Sequence, residues 1–431
     1  MWAADTAGIR LRAENPKRNS MNKENKTGLP KRVEYIIERL ENGGFEAYAV
    51  GGCVRDSLIG KEPEDWDICT SALPEETKKI FSGERIIETG LKHGTVTVLL
   101  EHTSYEVTTF RTESGYSDFR RPDKVDFVKT VAEDLKRRDF TVNAMAYNNK
   151  KGLIDIYGGR EDLKKRLIKC VGNPHERFSE DALRIMRAVR FAGVLGFEIE
   201  EKTAAAVRSD RLLLKNIAAE RISAEFMKLL MSKNPHMIYD YKEVIDVFVD
   251  RAENIKKNEA ELIGELPEKK SVRLAFLLNT LYKNDGNARG LIHAALKKLK
   301  LDNRLIEKTE RIISCMKKHL PESLADCRFL VSDLGIEAVS DYIQILSAEK
   351  SAPDGGLKNV MKWIEQIENC GLCTSIRELK IGGNDLIDAG ITDGMKIGKL
   401  LRIALGEVIK DNLRNEKKEL LEYILKTADR V

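Results

Sequence analysis

Two aspartates one residue apart, Asp65 and Asp67, are the side chains of this 431-residue chain best suited to chemistry. Side chains two positions apart face the same way along a strand, so a strand over residues 65–68 would direct both carboxylates into one space. Two unpaired carboxylates repel each other unless a cation neutralises them. Mg²⁺ binds a few carboxylates plus substrate phosphates, and two-metal phosphoryl-transfer sites need such a pair. A solvated loop with scattered acids is the alternative for this pattern alone.

The Gly51-Gly52 pair earlier in the chain favours the metal interpretation. It ends an apolar run over residues 45–50 and opens a stretch over 52–59 with helical spacing. Glycines at a strand-to-helix turn let backbone N–H groups approach phosphates, and the helix N-terminus favours their negative charge. Arg55 adds a forked donor in the first turn of that helix. An ordinary tight turn is the alternative; together with Asp-x-Asp, however, the pattern predicts a site for a nucleoside triphosphate with Mg²⁺.

A third carboxylate, Glu106, lies on a predicted strand over residues 105–110 that follows another over 95–100. An acid on a neighbouring strand can orient or deprotonate the hydroxyl that attacks a phosphate in a two-metal site. An exposed acid on a strand is the alternative interpretation. The spacing alone does not choose between them.

A second cluster spans residues 137–146, with the sequence Arg-Arg-Asp-Phe-Thr-Val-Asn-Ala-Met-Ala. Arginines and an aspartate beside small apolar residues suggest a pocket wall that contacts phosphate and sugar. Arg138 and Asp139 suit a ribose hydroxyl, because that group both donates and accepts hydrogen bonds. A surface cluster of salt bridges, nearly neutral in energy, is the alternative.

In a third cluster Asp181, Arg184, Arg187 and Arg190 recur every three residues, which predicts one slowly drifting stripe of a helix. An i,i+3 ion pair worth about 0.3–0.5 kcal/mol would explain Asp181 and Arg184 structurally. The functional alternative is that they read a base. An Asp acceptor beside an Arg donor matches the Watson–Crick edge of cytosine or adenine, whereas uracil and guanine present the reverse polarity. Such a contact discriminates by about 1–3 kcal/mol per base.

Composition and periodicity describe the wider organisation. Strand-like alternation is confined to the N-terminal part, and helical spacing dominates from about residue 160 onward. The net charge is only +4, so a basic surface for nucleic acid must be local. No apolar run has the length of a transmembrane helix, and the N-terminus lacks the apolar region of a secretion signal. Seven scattered cysteines suggest a reduced, cytoplasmic protein, and Cys370 and Cys373 are interpreted as structural.

These motifs, taken in order, resemble those of the class II tRNA nucleotidyltransferases, the family of CCA-adding enzymes and bacterial poly(A) polymerases. The matching segments cover roughly residues 30–230 and are, in chain order, Gly51-Gly52…Asp65-x-Asp67, Arg137–Met145, Asp155–Leu163, Glu180-Asp-x-x-Arg184 and Glu220–Leu230. Residues 383–401 resemble the C-terminal region of the family less specifically. There the usual proline-bearing turn is replaced by Thr392-Asp-Gly394.

The resemblance implies an α+β fold, with an N-terminal polymerase-beta-type nucleotidyltransferase head followed by an all-helical neck, body and tail. We expect a basic, disordered leader over residues 1–28 and a catalytic head over 29–158. A neck that reads the base would span 159–220, a helical body 221–330, and a tail that binds tRNA 331–431. Basic residues recur along the body and tail, and as a group they would follow the phosphates of tRNA.

The resemblance also implies roles for the site residues. Asp65 and Asp67 would hold two Mg²⁺ ions, and Glu106 completes the predicted catalytic set. The predicted nucleotide-binding residues are Gly51 and Gly52 with Arg55 at the triphosphate, Arg138 and Asp139 at the ribose, Asp181 and Arg184 at the base, and Arg187 and Arg190 lining the same site. The reaction would be attack of the tRNA 3′-hydroxyl on the α-phosphate of CTP or ATP, with release of pyrophosphate.

Related activities must be separated from full CCA addition. Enzymes restricted to adding CC are expected to lack part of the loop that here spans residues 110–122, and this loop is complete. We therefore favour CCA addition, with A-adding, CC-adding and poly(A)-polymerase activities as alternatives. A helical RNA-binding scaffold with a decayed head, and a nucleotidyltransferase that modifies antibiotics, are alternatives from other classes. The sequence leaves open a monomer or a homodimer, and the means of switching from C to A.

Overall fold

The computed structural model describes residues 28–88, 90–115, 124–351 and 353–428. Apart from Gly28, the predicted leader lies outside the described residues, and so do residues 116–122 of the loop over 110–122. Within the described ranges, no helix is both long enough and apolar enough to cross a membrane.

A mixed seven-stranded sheet forms the N-terminal part of the described chain. The strands of the described chain, in this sheet and in two smaller ones, are β1 (Ala47–Val50), β2 (Asp67–Thr70), β3 (Arg85–Ile87), β4 (Thr95–Leu100), β5 (Thr103–Thr109), β6 (Arg111–Ser114), β7 (Lys124–Phe127), β8 (Ala146–Asn148), β9 (Gly152–Ile154), β10 (Leu167–Ile168) and β11 (Glu198–Ile199). The order in the large sheet is β3-β4-β5-β2-β1-β8-β9. Only β2 and β5 run parallel in it. β6 with β7, and β10 with β11, form separate two-stranded sheets.

Helices flank this sheet and make up nearly all of the remainder. Those within or next to the sheet region are α1 (Lys31–Asn42), α2 (Gly52–Leu58), α3 (Pro74–Ile80), α4 (Val131–Lys136) and α5 (Gly159–Lys165). Those that follow are α6 (Pro174–Glu180), α7 (Leu183–Leu195), α8 (Glu201–Ser209), α9 (Ala219–Leu230), α10 (Met237–Asp240), α11 (Lys242–Ile245), α12 (Lys257–Glu265), α13 (Lys270–Tyr282), α14 (Ala288–Lys298), α15 (Asn303–Met316), α16 (Leu324–Leu334), α17 (Ile336–Glu349), α18 (Asp354–Cys370), α19 (Gly383–Asp388), α20 (Gly394–Ile409) and α21 (Lys417–Ala428). The predicted α+β organisation, a sheet-containing head followed by helices, is confirmed.

The predicted strand over residues 65–68 was placed too early, because β2 begins only at Asp67. Asp65 lies in the segment that enters the strand. The loop after α2 includes Pro63, which cannot donate to a sheet ladder, and pairing with β1 starts at Ile68 opposite Ala49. The strand prediction over 95–100 agrees with β4, and the one over 105–110 agrees with β5 except that β5 starts earlier, at Thr103, and ends at Thr109.

The buried hydrophobic side chains of the described residues form a large core, a smaller C-terminal core, and a small cluster of β1, β2 and α4 residues that includes Tyr48, Cys69 and Leu135. The large core extends from Leu29 through the sheet and most of the helices to Ile367 in α18. The C-terminal core begins at Cys373 and joins α19, α20 and α21. Arg328, on α16, is buried between the two and donates to the carbonyls of Ile409 at 2.9 Å and Cys373 at 3.0 Å. Arg328 therefore links the C-terminal core to α16.

Helices α7 and α9 pack closely, which matters because α7 carries Arg184, one of the two predicted base-reading residues, and begins two residues after the other, Asp181. A Cβ atom on Gly193 of α7 would lie 2.5 Å from Leu229 Cδ1 of α9, so glycine permits the approach of the two helices. Near the middle of the contact, the buried Arg190 donates from Nε to Glu225 Oε2 at 2.7 Å. The two helices are thus held together by close packing and by a buried ion pair.

Arg273, on α13, holds the C-terminal end of α9 through hydrogen bonds. This side chain of α13 is only 2% exposed, and its donors reach four carbonyl oxygens where α9 and α12 end. The acceptors are Ser232 at 2.8 Å, Leu230 at 2.9 Å, Leu266 at 3.1 Å and Gly264 at 3.3 Å. A cation among carbonyls satisfies acceptors that the helix ends leave without intrahelical donors.

Replacing Arg273 by Met should lower the free energy of unfolding by about 3 kcal/mol, because four buried carbonyls lose their donor. Urea denaturation followed by circular dichroism measures the change. Lys270→Met is the matched control, since Lys270 is exposed on the same helix and the charge change is identical. Equal midpoints for the two variants would show that Arg273 contributes nothing beyond its apolar stem.

Candidate active site

Three carboxylates meet at one end of the sheet. Asp67 opens β2 and pairs in register with Glu106 on the parallel strand β5, while Asp65 lies just before β2. The pKa of Asp67 is raised by desolvation, lowered by Arg138 and raised again by Asp65. The pKa of Glu106 is raised by desolvation and by the charges of Asp67 and Asp65. The charge of Asp65 therefore disfavours ionisation of both Asp67 and Glu106, as the sequence analysis expected of neighbouring carboxylates.

This acid group fits a magnesium ion that shares its coordination with a substrate. No set of three or more His, Cys, Asp or Glu side chains in the described ranges forms a ready-made metal cage. Mg²⁺ does not require one, because it commonly takes one or two carboxylates and completes its octahedron with water and phosphate oxygens. Two neighbouring acids whose charges repel, left open to solvent at the end of a sheet, are suitable partners.

Gly51 makes the turn from β1 into α2 and allows no side chain. Its backbone has φ 82° and ψ −128°, a region that is essentially open only to glycine. A Cβ atom there would also lie 2.8 Å from Arg138 Nη1. The turn and the Arg138 side chain therefore occupy adjoining space, and Gly52 begins the helix directly after it.

Arg55, on α2, is buried and faces the sequence cluster of residues 137–146. It donates from Nη1 to Asn143 Oδ1 at 2.6 Å, and from Nε and Nη2 to Asp56 at 2.9 Å each. Its guanidinium also lies over the ring of Phe191 in α7, 5.2 Å from the ring centre. Arg55 thus connects the glycine turn to both other predicted clusters.

A cavity of about 490 Å³ opens between the head and helices α7 and α9. Its lining consists of His93, Arg111, Glu113, Arg137, Arg138, Asp139, Asp181, Arg184, Arg187 and Arg221. Six of these ten side chains are arginines, so the cavity suits an anion. The predicted site residues that it brings together are Arg138, Asp139, Asp181, Arg184 and Arg187.

The remaining predicted site residues lie outside that lining. They are Gly51, Gly52, Arg55, Asp65, Asp67, Glu106 and Arg190. Arg138 links the two groups, because it lines the cavity while touching the space above Gly51 and acting electrostatically on Asp67. The acids and the cavity are therefore neighbouring parts of one region.

Asp139 is the best satisfied acid of the cavity. Its Oδ2 accepts from Arg187 Nη2 at 2.6 Å and Nε at 2.9 Å, and its Oδ1 accepts from Asn143 Nδ2 at 3.2 Å and from the backbone of Phe140 at 2.8 Å. Burial alone would raise its pKa, but Arg187 and Asn143 lower the pKa of Asp139 to about 2. The predicted surface salt-bridge alternative does not describe this group, because Asp139 is buried.

Asp181 and Arg184 lie in the same cavity, but the helical stripe and ion pair considered for them are wrong. Helix α6 ends at Glu180, Asp181 is extended, and α7 begins only at Leu183. The physical reason is the short Asp side chain, which accepts the backbone N–H of Leu183 at 3.1 Å and interrupts the helix. No ion pair joins Asp181 to Arg184, although both are described.

Each of the two residues has another partner. Arg184 donates from Nη1 to Glu180 Oε2 at 2.6 Å and from Nη2 to the carbonyl of Arg137 at 2.9 Å. Asp181 Oδ2 instead accepts from Arg221 Nη2 of α9 at 3.4 Å. An acceptor and a donor thus stand in one cavity without neutralising each other.

Arg190 does not line the cavity. Its side chain is turned toward α9, where it pairs with Glu225, and its guanidinium lies 3.5 Å from the centre of the Phe191 ring. A three-residue step advances less than one turn of a 3.6-residue helix, so a stripe with this spacing drifts around the helix axis. At Arg190 the side chain therefore no longer faces the cavity and instead lies in the contact between α7 and α9.

Several residues of the site were missed by the sequence reasoning. Asp134, fully buried, accepts from Arg137 Nε at 2.9 Å and from Arg138 Nη2 at 3.3 Å and so holds both arginines. Its spacing of three and four residues from the two arginines would have been a usable signal, because this spacing brings side chains together on a helical turn. Arg221 and Glu225 lay in a segment recognised as a family motif, but were given no role.

Comparisons with known proteins agree with this arrangement. Residues 47–169 match the family model described as the poly A polymerase head domain. Residues 196–241 match a model described as the probable RNA and SrmB-binding site of polymerase A, and residues 271–424 one described as tRNA nucleotidyltransferase domain 2, putative. A CCA-adding enzyme of Ligilactobacillus salivarius is 40% identical over 408 residues, which covers 91% of this chain and 96% of that protein.

The chain belongs to the family of CCA-adding enzymes. A CCA-adding enzyme of Pediococcus pentosaceus is 38% identical over 404 residues, which covers 91% of this chain and 96% of that protein. The crystal structure of the Bacillus stearothermophilus CCA-adding enzyme in complex with CTP matches with a TM-score of 0.77 and 30% identity, over 93% of this chain and 98% of that one. Family membership is thus supported along nearly the whole chain, beyond the segments that carried the resemblance in sequence.

The stability that Asp139 contributes should depend on pH. Its folded pKa of about 2 lies below the ordinary value of 3.8, so its contribution is present above pH 4 and is lost as the pH falls toward 2. We expect Asp139→Asn to be less stable than wild type by about 2 kcal/mol at neutral pH, a gap that closes between about pH 4 and 2. Urea titrations at a series of pH values measure it.

Asp388→Asn, at an exposed position of α19, is the control for that comparison. Its stability should follow the wild-type profile over the same range. A gap between Asp139→Asn and wild type that stayed constant down to pH 2 would contradict the assigned ion pair with Arg187.

Proposed function

We propose that this chain adds the 3′-terminal CCA to tRNA without a template, using CTP and ATP and releasing pyrophosphate. The observation that carries the proposal is the arginine-lined cavity, whose lining includes an acceptor, Asp181, and a donor, Arg184, together with Arg138, which acts electrostatically on Asp67 of β2. Similarity to CCA-adding enzymes over nine-tenths of the chain supports it. Among solved relatives of similar fold are CCA-adding enzymes in complex with CTP, with ATP and with tRNA.

At the end of the sheet, Asp65 and Asp67 would hold two Mg²⁺ ions. When bound, these ions would neutralise the triphosphate and polarise the α-phosphate. Glu106, which is in register with Asp67, would orient the tRNA 3′-hydroxyl and accept its proton. The raised pKa values of Asp67 and Glu106 support this assignment, because a cation placed beside these acids would favour their ionised forms.

The glycine turn and the 137–146 cluster would hold the triphosphate and the ribose. Gly51 and Gly52 bring the backbone close to the phosphates, and Arg138 adjoins the same turn. Asp139 would accept from a ribose hydroxyl, for which its ionised state is suited. Arg55 reaches this region through Asn143, which bonds Arg55 on one side and Asp139 on the other. We therefore assign to Arg55 the alignment of the ribose site as well as the contact with the triphosphate.

The base would be read by Asp181 and Arg184, which offer an acceptor and a donor to the amino group and ring nitrogen of cytosine or adenine. Arg187 lines the same cavity and orients Asp139. Arg190 is assigned to the support of α7, through Glu225. Because the acceptor–donor pattern suits both bases, one site would serve CTP and ATP, with Asp181 and Arg184 replacing the template strand.

The division into a head over residues 29–158, a neck over 159–220, a body over 221–330 and a tail over 331–431 is part of this proposal. It is supported by the sheet, whose seven strands all lie within 47–154, and by the separate core that begins at Cys373. We place tRNA binding along the body and tail. The cytoplasm is the proposed location, since tRNA, CTP and ATP would be the substrates.

Incorporation on a ladder of tRNA transcripts tests the proposal. Transcripts that lack three, two or one 3′-terminal nucleotide should all be extended to a complete CCA end when CTP, ATP and Mg²⁺ are present. Asp65→Ala should remove incorporation on every transcript, because the remaining carboxylate cannot hold two ions. Denaturing gels that resolve single nucleotides give the readout.

Each alternative has its own pattern in that experiment. A CC-adding enzyme stops before the last A, an A-adding enzyme extends only the last transcript, and a poly(A) polymerase adds a long tail with ATP alone. A scaffold with a decayed head incorporates nothing at any Mg²⁺ concentration.

Base choice is tested by the double variant Asp181→Asn with Arg184→Ala. Asn can donate to the carbonyl of U or G, and loss of the arginine removes the penalty against a ring N–H. The preference for CTP over UTP, and for ATP over GTP, should fall by about 1–3 kcal/mol in transition-state free energy. Ratios of kcat/KM measure this. Wild-type selectivity at a reduced rate would assign the pair to helix support, with base reading elsewhere.

A further inference from the structure

A second cavity lies in the head, apart from the arginine-lined one. It has a volume of about 200 Å³, and its lining consists of Leu29, Val54, Ser57, Leu58, Trp66, Tyr147, Leu153 and Arg160. None of these eight residues lines the arginine-lined cavity, and none has a role in the proposed function. The head therefore contains a pocket that the transfer reaction does not use.

The floor and one wall of this cavity follow from the sheet and from α2. Tyr147 of β8 pairs in register with Leu153 of β9, so the two side chains lie on the same face of the sheet. Val54, Ser57 and Leu58 of α2 are three and four residues apart, a spacing that places them on one face of the helix. A largely apolar surface is thus formed between the sheet and α2.

Trp66 joins this cavity to the acid pair. It stands between Asp65 and Asp67 in the chain, lines the cavity and is half-buried, whereas both acids are exposed and lie outside the lining. Successive side chains of an extended segment face opposite sides, which explains how one short stretch serves two places. A ligand held against the indole would therefore contact the segment that carries the acids.

Arg160 is the one charged residue in the described lining, and its backbone is held in place. Asp155 accepts from the N–H of Gly159 at 2.7 Å and from that of Arg160 at 2.9 Å. A Cβ atom on Gly159 would overlap the carbonyl of Thr141, so the start of α5 lies directly against that segment. The Arg160 guanidinium itself has no ion pair or hydrogen bond within residues 28–88, 90–115, 124–351 and 353–428. An anion in the cavity would supply its partner.

Three further polar groups of the lining lack a hydrogen-bond partner among the described residues. They are the indole N–H of Trp66 and the hydroxyls of Ser57 and Tyr147. Indole and guanidinium groups only donate hydrogen bonds, and the hydroxyls can donate as well. Ligand sites commonly combine an apolar surface with a few polar groups of this kind. The lining therefore suits a ligand with an apolar body and a negatively charged acceptor.

We propose that this cavity binds a small aromatic carboxylate. Its ring would lie among Val54, Leu58, Trp66 and Leu153, and its carboxylate would accept two parallel hydrogen bonds from Arg160. A volume of about 200 Å³ is below the range of about 300–1,000 Å³ that is usual for drug-sized ligands, so a single ring is the appropriate size. Binding requires neither nucleotide nor tRNA, and the inference is thus independent of the proposed function.

Titration of the full-length chain with para-fluorobenzoate tests the site. The line width of the fluorine NMR signal measures binding, which we expect with a Kd of about 0.1–1 mM for a ligand of this size. Arg160→Met should weaken binding by about tenfold, because the carboxylate loses its charged partner. Lys164→Met, an exposed change of equal charge on the same helix, should bind as wild type does.

Two further comparisons separate an anion from a neutral ligand and this cavity from other places. The amide para-fluorobenzamide has nearly the same shape without the charge and should bind about tenfold more weakly. Ser57→Leu fills the space beside α2 and should remove binding, while circular dichroism checks that the variant is folded. If Ser57→Leu does not fold, the Arg160→Met comparison decides alone.

Three outcomes overturn the proposal. The first is a fluorine signal that does not broaden at about 10 mM protein-saturating ligand. The second is equal binding of the amide, which would assign the cavity to a neutral apolar ligand. The third is binding that persists unchanged in Arg160→Met, which would place the benzoate elsewhere, for instance among the six arginines of the other cavity.

Discussion

The buried ion pair between Asp139 and Arg187 is the interaction on which the rest of the site depends. Asp139 follows the helix that carries Asp134, whereas Arg187 lies in the middle of α7. Two hydrogen bonds from Arg187, at 2.6 and 2.9 Å, converge on Asp139 Oδ2 and restrict the distance and the angle between the head and that helix. The acid proposed for the sugar belongs to the head, and the residues proposed for the base belong to α7 and its entry. In the proposed function, this one pair would therefore set how the two parts of a nucleotide are held relative to each other.

Arginines outnumber acids in the cavity lining, and several of them are held by carboxylates that each pair with two arginines. Asp134 holds Arg137 and Arg138, and Glu225 holds Arg190 while lying 3.7 Å from Arg187. The ring of Phe191 adds a further contact, because the guanidinium groups of Arg55, Arg187 and Arg190 all lie over it. A cluster of like charges is costly by itself, so these partners are what keep several guanidinium groups in one place before an anion arrives.

Much of the fold followed from local pattern. Alternation located β4 and β5, and helical spacing located α7, because both patterns report directly on which side of an element is buried. The position of Asp181 did not follow, since a three-residue period fits a continuous helix equally well and the decision was made by one hydrogen bond to Leu183. The partners Arg221 and Asp134 were missed for different reasons. Arg221 meets Asp181 only through the packing of α9 on α7, which no local pattern contains, whereas Asp134 had a local signal that the search for clusters passed over.

The C-terminal core, which begins at Cys373, is separate from the large core, and this separation affects which substitutions the chain can accept during evolution. Apolar replacements within α19, α20 and α21 are absorbed by a small core of their own and leave the packing around α7 and α9 largely untouched. Arg328 is the exception, because its donors reach the carbonyls of both Cys373 and Ile409. The C-terminal helices can therefore change in sequence and shape, while Arg328 keeps them attached to α16.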